Sequence, residues 1–458
     1  MQGAVVIKAT LAAAALMVAG VAAGQPASAS EIEVEVEVEV EVESEGAFDN
    51  FGFDDAPPAE PQPFWMPETV ELFGNVEFEG TGFFQDPLLD EQTRDSVSVA
   101  IRPSLLLEWA GGDAAFTLTP FARLDSADER RRHWDLREAK FDFRGDRWAL
   151  TVGADFVFFG RTEALQLVDI INSDDGVEDI DGEDKLGQPM VRFSYLTDGY
   201  GALSAYWLPY FREPTFPGTE GRLRPSLRIA DEDVRYGSGA EEWTQAAALR
   251  WEQVIGDFDF GVTGFYGLSR DAAFEPIVFE PIATPPFARP TVLRPVYDEI
   301  AQIGFDGQFT SGPALWKLEA IGRTNQLDRT LTNRDYVAVT GGVEYTFYSV
   351  FGGTGDLGVL LEGAWDSRGE DALTNLEEDV VYGLRYGFND DRDTAILLFG
   401  ATDVVSGGTS VRLEAERRIF DSWKLTMEGQ GFLVTHPEDI EDDFRRDSYL
   451  RLKLAYFW

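Results

Sequence analysis

The sequence predicts an all-β protein, a transmembrane antiparallel β-barrel of about 18 strands with short periplasmic turns and long outer loops. Three observations lead to this prediction. The last ten residues alternate strictly between apolar and polar side chains. Strand-like segments recur along the chain with short and long connections in turn, and the two faces of those strands differ in polarity. Closed barrels cross membranes on such strands because closure leaves no backbone edge unpaired.

The first residues have the pattern of a secretory signal peptide, which we place at 1–29. Lys8 is its only charge, and an apolar run follows from Ala9 to Ala23. Small residues at Ala27 and Ala29 provide a cleavage site for signal peptidase. The run is short and rich in alanine, which disfavours a membrane-spanning helix of roughly 20 residues.

Residues 30–67 form a separate segment, and the barrel is predicted at residues 68–458. Glu and Val alternate through residues 31–45, and a Pro-rich stretch follows. Because every second residue of the repeat carries the same charge, we expect a disordered segment in the periplasm rather than a paired strand. A tether, a cation-binding tail and an insertion produced by repeat slippage are all compatible with this repeat.

Connections of two lengths alternate along the predicted barrel. Counting strands between them, from residues 70–84 to residues 448–458, gives about 18, and about 16 is also acceptable because strand boundaries are imprecise. An even number places both ends of the barrel in the periplasm. The short, turn-like connections lie at residues 110–113, 144–146, 197–199, 255–257, 310–313, 349–356, 389–393 and 420–421. The long ones centre on residues 86–94, 125–132, 160–188, 209–240, 271–294, 328–334, 368–378, 405–408 and 435–445.

The strand faces differ in a way that opposes a soluble fold. A soluble sandwich buries its apolar face, whereas charged side chains here recur on one face of most strands and need water around them. We therefore predict a polar, wet lumen and an apolar, lipid-facing exterior. The lipid-facing sets include Val70/Leu72/Val76/Phe78, Trp148/Leu150/Val152, Trp316/Leu318/Ala320, Val380/Tyr382/Leu384/Tyr386 and Val411/Leu413/Ala415.

The last strand, YLRLKLAYFW, places leucines and aromatics on one face and charges on the other. Aromatic residues are typical of the membrane–water boundary of barrels. The ending resembles the C-terminal signal that the barrel-assembly machinery recognises in bacterial outer-membrane proteins. We assign this assembly signal to Leu454, Tyr456 and Trp458.

Composition excludes several function classes. With 82 acidic and 38 basic residues the net charge is −44, which argues against nucleic-acid and anionic-surface partners. The chain has no Cys, so disulfides and thiol chemistry are excluded. Its two histidines, His133 and His436, lie in or beside predicted outer loops without a plausible nucleophile nearby. We therefore predict no enzyme, no catalytic residues and no cofactor.

Charged residues at inward positions are candidates for lining a pore, since rings of side-chain charge set channel selectivity. Paired opposite charges on neighbouring strands could equally brace the wall. Five bases near the closing strands, which we call the basic wall, would favour anionic or zwitterionic solutes; they are Arg385, Arg412, Lys424, Arg451 and Lys453. The other candidates are Arg102, Arg123, Lys140, Arg144, Arg192, Lys317, Glu319, Glu414 and Glu428.

Residues 160–188 form the predicted constriction loop, with Asp169, Asn172, Asp174 and Asp175 as its candidate residues. Its apolar stretch, residues 165–171, could pack as a short helix. Carboxylates supply the oxygen ligands that Ca²⁺ prefers, so Asp179, Asp181 and Glu183 are a weak calcium candidate beside the simpler interpretation of a solvated acidic loop. Residues 209–240 are rich in Pro and Arg and form a candidate anion-attracting element.

Two patches resemble uncharacterised proteobacterial outer-membrane porin-like proteins. The first comprises residues 148–153, Phe159-Gly160 and residues 169–172, and the second comprises stretches between residues 414 and 450. The sequence departs from the family pattern at Phe159, where Trp is usual, and at Ser173, where Pro is usual. In architecture this group is similar to alginate exporters and substrate-selective porins. The resemblance implies an integral protein of the outer membrane of a Gram-negative bacterium.

The function expected from these observations is a passive channel for small hydrophilic solutes, anionic ones among them. Two alternatives stay open: an export conduit for an anionic polymer such as a polysaccharide, and a structural or adhesive barrel that conducts nothing. The expected partners are outer-membrane lipid and lipopolysaccharide, the barrel-assembly machinery with periplasmic chaperones, and small hydrophilic solutes. An alginate exporter should have a strongly basic lumen, whereas this sequence predicts a mixed one.

Overall fold

A computed structural model describes residues 66–458, except residues 164, 285–287, 375 and 436–439 and the side chains of residues 440 and 441. The predicted signal peptide, nearly all of the predicted disordered segment and His436 lie outside these residues. The strands are β1 Thr69–Phe83, β2 Asp95–Trp109, β3 Ala114–Asp125, β4 His133–Arg144, β5 Trp148–Asp155, β6 Gln188–Leu196, β7 Ala202–Leu208, β8 Arg228–Ile229, β9 Arg235–Tyr236, β10 Ala246–Ile255, β11 Phe258–Leu268, β12 Ala273–Pro281, β13 Ala288–Tyr297, β14 Glu299–Ser311, β15 Ala314–Leu327, β16 Asn333–Phe347, β17 Asp356–Asp366, β18 Glu378–Gly387, β19 Ala395–Asp403, β20 Thr409–Phe420, β21 Trp423–Val434 and β22 Tyr449–Phe457.

The main sheet is a closed antiparallel barrel. In the described part of the chain it contains 18 strands, which confirms the predicted number. The ring closes between β1 and β22, from Asn75 opposite Phe457 to Phe83 opposite Tyr449. Gly74 and Trp458 exchange two backbone hydrogen bonds, of 3.3 and 3.2 Å, at the end of this seam. A Cβ atom at position 74 would come within 2.8 Å of the Trp458 ring, so this approach requires glycine.

Most connections alternate between short and long as predicted, but residues 348–355 and 388–394, predicted short, are longer connections than residues 328–332 and 404–408, predicted long. One long connection also contains structure that the sequence did not indicate. The loop predicted at residues 271–294 forms the hairpin β12–β13. The short strands β8 and β9, from the preceding long connection, pair in parallel with β13 and complete a separate four-stranded sheet. The expectation of a plain loop was therefore wrong. The sequence did not indicate these strands because proline normally argues against strand pairing, and β12 and β13 contain Pro276, Pro281, Pro290 and Pro295.

The outer face of the barrel is strongly apolar. Leu72, Phe78, Trp316 and Leu318 are between 43% and 58% exposed, although all are large apolar side chains. Exposure of so many large apolar groups indicates a surface that faces lipid or another apolar partner. No helix among the described residues is both long and apolar enough to cross a membrane.

The inner face is charged on much of the wall but not on all of it. Val168, Ile170 and Ile171, from the connection between β5 and β6, pack in a buried apolar cluster with wall residues such as Phe265 and Ile300. The prediction of a wholly polar interior was therefore wrong on the side formed by β6, β7, β10, β11 and β14–β16. Burial against this inserted segment, rather than against lipid, accounts for the apolar residues at these inward positions.

Candidate functional site

The connection between β5 and β6, residues 156–187, lies inside the barrel, and we call it the inner loop. Asn172 fixes its base, because its side-chain amide donates to the carbonyls of Asp155 (2.9 Å) and Leu186 (2.8 Å) and its oxygen accepts from the Val157 amide (2.9 Å). Asp169 accepts hydrogen bonds from the amides of Phe159 (2.5 Å) and Gly160 (3.0 Å). These side chains replace backbone pairing in a segment without strands.

The apolar stretch of the inner loop is not helical. Among its described residues, 165–171, the backbone forms a turn at Leu167 and Val168 and is otherwise irregular. The predicted short helix was therefore wrong. The carboxylate of Glu319 on β15 accepts a hydrogen bond from the Val168 amide of this stretch, so that amide does not need an intrahelical partner.

Glu319 on β15 is the main anchor of the inner loop on one side of the barrel, which includes β11, β14, β15 and β18 and which we call the far wall. Its Oε1 accepts from the amides of Arg161 (2.5 Å) and Thr162 (2.9 Å) and from the Thr162 hydroxyl (2.8 Å). Its Oε2 accepts from the Val168 amide (3.3 Å). The side chain is fully buried and forms no salt bridge among the described residues, so it acts as an acceptor for loop donors.

Two charged residues of the loop extend the far-wall contact to neighbouring strands. Arg161 pairs with Asp306 on β14 (3.1 Å) and Asp259 on β11 (2.9 Å). Glu163 pairs with Lys317 on β15 (2.7 Å) and Arg385 on β18 (3.2 Å). Burial alone would raise the pKa of Glu163, but the hydrogen bonds and charges of Lys317 and Arg385 outweigh burial and lower this pKa.

The acidic half of the loop binds the opposite wall through arginines. Glu178 lies 2.7 Å from Nε of Arg123 on β3, and Arg131 donates to its backbone carbonyl. Asp179 pairs with Arg451 on β22, and Asp181 pairs with Arg412 on β20 (2.7 Å). The inner loop therefore connects strands on both sides of the ring.

These pairs argue against the calcium hypothesis for Asp179, Asp181 and Glu183. Two of the three carboxylates are neutralised by arginines on different strands, and the three do not form a ligating cluster in the described structure. His133, Asp175 and Glu178 do lie within metal-ligating distance of one another. Arginines already occupy them, however: Arg137 lies 2.6 Å from Asp175, and Arg123 and Arg131 surround Glu178. This cationic setting disfavours a metal ion.

The loop carboxylates have divergent pKa values. Burial alone would raise the pKa of Glu178, but the hydrogen bond with His133 and the charges of Arg123 and Arg131 lower it to about 2. Burial and the charge of Glu178 raise the pKa of Asp184 to about 6. Burial and the charge of Asp181 also raise the pKa of Glu183. The loop thus carries a permanent negative charge at Glu178 at neutral pH, and at Asp184 it carries a carboxyl whose charge changes near pH 6.

Burial and contacts also place the remaining predicted loop and wall residues. Asp174 pairs with Lys185 within the loop, while burial raises its pKa. All five bases of the basic wall are paired with carboxylates: Arg385 with Glu163, Arg412 with Asp181, Lys424 with Glu416, Arg451 with Asp179 and Glu428, and Lys453 with Glu428. Lys140 and Arg192 pair with Asp155, Arg123 with Glu77, Glu79 and Glu178, and Lys317 with Glu163 and Glu344. Among the described residues Arg102, Arg144 and Glu414 form no salt bridge.

Several site residues were missed in the sequence. The contact between the acidic half of the loop and the opposite wall is centred on Arg131, His133, Arg137 and Glu178. No spacing in the sequence links residues 131–137 to residue 178.

The Pro- and Arg-rich outer loop also differs from expectation. Its arginines are bound to carboxylates and do not form a free anion-attracting element: Arg212 pairs with Asp135, Arg222 with Asp447, Arg224 with Glu91, Arg228 with Glu232 and Arg235 with Glu275.

Comparison with known proteins gives only remote likeness. No protein-family model matches the chain, and no curated protein matches it. Among solved structures, engineered variants of a porin from Rhodopseudomonas blastica are similar to this chain at 11–12% identity, with TM-scores of 0.41–0.42, covering 85% of this chain and 100% of theirs. A structure described as concerning the asymmetric conductivity of engineered proteins has 11% identity, a TM-score of 0.41 and the same coverage.

Proposed function

We propose that this protein is an outer-membrane channel for the passive diffusion of small hydrophilic solutes. The observation that supports it is the combination of a closed 18-stranded ring, an apolar outer face and a charged inner face narrowed by a loop. An apolar exterior suits hydrocarbon, and charged inner walls need water. Lipid and lipopolysaccharide would then contact the exterior, and the barrel-assembly machinery and periplasmic chaperones would insert the chain.

In this mechanism the channel performs no chemistry. Solutes would diffuse through the space that the inner loop leaves against the wall of β18–β22, where Arg385, Glu416 and Lys424 keep about a third to a half of their side-chain surface exposed. The exposed charges would hydrate the passage and bind solutes weakly. Weak binding permits both entry and exit, which passive conduction requires.

A non-conducting structural barrel is the second candidate, and one observation favours it. The inner loop is bonded to strands on both sides of the ring and packs in an apolar cluster, so it fills part of the lumen. In this alternative the loop would be a plug rather than a constriction. A conduit for an anionic polymer has less support, because the basic wall is paired with carboxylates.

Solute flux into liposomes separates the two candidates. The purified, heat-modifiable protein would be reconstituted, and swelling would be followed in neutral sugars of increasing mass. A channel should admit small sugars quickly and large ones slowly, whereas a plugged barrel should admit none. Swelling equal to that of protein-free liposomes would contradict the proposed channel.

A further inference from the structure

We infer that the passage selects cations, because carboxylates of the inner loop and of the strands neutralise the basic wall, and the inner loop adds carboxylates that form no salt bridge. This inference rests on the proposed channel function and names its solute class. It reverses the preference for anionic solutes that the basic wall alone predicts.

The first step concerns the bases. Arg412 on β20 and Arg451 on β22 lie on either side of β21, and the inner loop binds them through Asp181 and Asp179 respectively. Arg385 is bound by Glu163 of the same loop (3.2 Å). A guanidinium that already holds a carboxylate at contact distance presents little net charge to a passing anion.

The second step concerns the loop itself. Residues 156–187 contain nine carboxylates and two bases, Arg161 and Lys185, so the loop carries a formal charge of −7. Both bases are bound to acids: Arg161 pairs with Asp306 and Asp259, and Lys185 with Asp174. Insertion of this loop into the lumen therefore lowers the net charge of the constriction.

The third step identifies the carboxylates that are left. Glu183 and Asp184 on the loop and Glu414 on β20 form no salt bridge among the described residues. Glu183 follows Asp181 by two residues and Glu414 follows Arg412 by two residues, so the Asp181–Arg412 pair (2.7 Å) places Glu183 and Glu414 on the same side of the lumen. The charges of Arg137 and Arg102 act on Asp184; Arg137 is already paired with Asp135 and Asp175, and Arg102 forms no salt bridge among the described residues. Even with Arg102 set against Asp184, Glu183 and Glu414 leave an excess of negative charge.

The position of this excess negative charge inside the lumen gives it a strong effect on ion selectivity. Fixed charges in a narrow lumen act at short range and in a lower dielectric than charges on outer loops, which are screened beyond roughly 8 Å at physiological salt. A cation at the constriction is therefore attracted by carboxylates that form no salt bridge among the described residues. An anion meets bases that are already paired.

Reversal potentials in a KCl gradient across a planar bilayer test the inference. The wild-type channel should favour K⁺ over Cl⁻. The triple variant Glu183→Gln, Asp184→Asn, Glu414→Gln should lower the permeability ratio by about twofold or more. The matched control is Asp86→Asn in an outer loop, where the side chain is 83% exposed, and it should leave the ratio unchanged. A second variant, Arg412→Gln, releases Asp181 from its partner and should raise the ratio.

The outcomes separate the two proposals. A heat-modifiable barrel that conducts no ions would overturn the channel function itself. A conducting wild type that prefers Cl⁻, or a triple variant with the wild-type ratio, would overturn cation selection while the channel function stands. A triple variant that fails to fold leaves Arg412→Gln as the deciding measurement, and an unchanged or lower ratio there would also contradict the inference.

Discussion

Replacing Glu319 with Ala removes the carboxylate that anchors the inner loop to the far wall. The side chain accepts four hydrogen bonds from Arg161, Thr162 and Val168, and it is fully buried. No other acceptor for these amides lies nearby in the described hydrogen-bond network. We expect the substitution to leave the strand intact and to free the loop locally.

The magnitude follows from the donors left behind. Each buried donor without a partner costs about 1–3 kcal/mol. Three backbone amides lose their acceptor, so the loop is destabilised locally by about 3 kcal/mol even at the low end of that range. At about 1.4 kcal/mol per factor of ten, the opening equilibrium of the loop should rise roughly a hundredfold.

Glu319→Gln gives a graded comparison. Its amide oxygen can replace Oε1, which accepts three of the four bonds, whereas its NH₂ group would face the Val168 amide as a second donor. The loss should therefore be smaller, on the order of tenfold in the opening equilibrium. An intermediate effect would indicate that acceptor geometry, rather than charge alone, holds the loop.

Hydrogen exchange measures this opening directly, because exchange of a protected amide requires local opening. The amides of Arg161, Thr162 and Val168 should lose protection in Glu319→Ala, and single-channel recordings should become noisier. Glu71→Ala is the matched control, since Glu71 is exposed on the inner face of β1 and forms no hydrogen bond or salt bridge within the described structure. Unchanged protection in Glu319→Ala would refute the anchoring role.

Three further predictions concern closure, the wall and pH. Deletion of Phe457 and Trp458 should sharply reduce heat-modifiable barrel in the outer membrane, because Trp458 exchanges backbone hydrogen bonds with Gly74 across the seam and the Phe457 amide donates to the Ser422 carbonyl in the turn before β21; wild-type levels would contradict this. Gly153→Ala should impair folding, since φ is 137° and a Cβ would lie 2.1 Å from a backbone carbonyl, whereas Gly264→Ala meets nothing and should fold normally in the same heat-modifiability assay. Asp184, with its pKa raised to about 6, is neutral well below that pH and charged above it, so K⁺ preference should rise from pH 5 to pH 7; Asp184→Asn should reduce that rise, and an unchanged rise would contradict the role of Asp184.

The barrel was predictable because its signals are local. The alternation of Leu450, Leu452 and Leu454 with Arg451 and Lys453 fixes both the strand and its faces without knowledge of any partner. Turn residues such as Gly256 and Asp257 mark the hairpins in the same local way. Strand number follows from counting such segments, and the structure contains the same number.

The site was less predictable because its contacts join distant residues. Asp179 and Arg451 are 272 positions apart, and Glu319 meets residues about 150 positions earlier. Periodicity identifies which side chains face inward but not which of them meet. The apolar residues 165–171 were assigned to a helix because a short apolar run does not reveal whether its backbone donors bind within the run or to a distant carboxylate.

The contacts of the inner loop depend on closure of the ring. Its contact with Arg123 uses an early strand, its contact with Arg385 uses a late one, and its contact with Arg451 uses the strand that closes the ring. Glu178 and Asp179 are consecutive residues, yet they bind strands on either side of the seam, so both contacts can form together only when the ring is closed. The loop contacts are thus complete only after closure, and we expect a partly inserted barrel to hold its loop less firmly than the finished one.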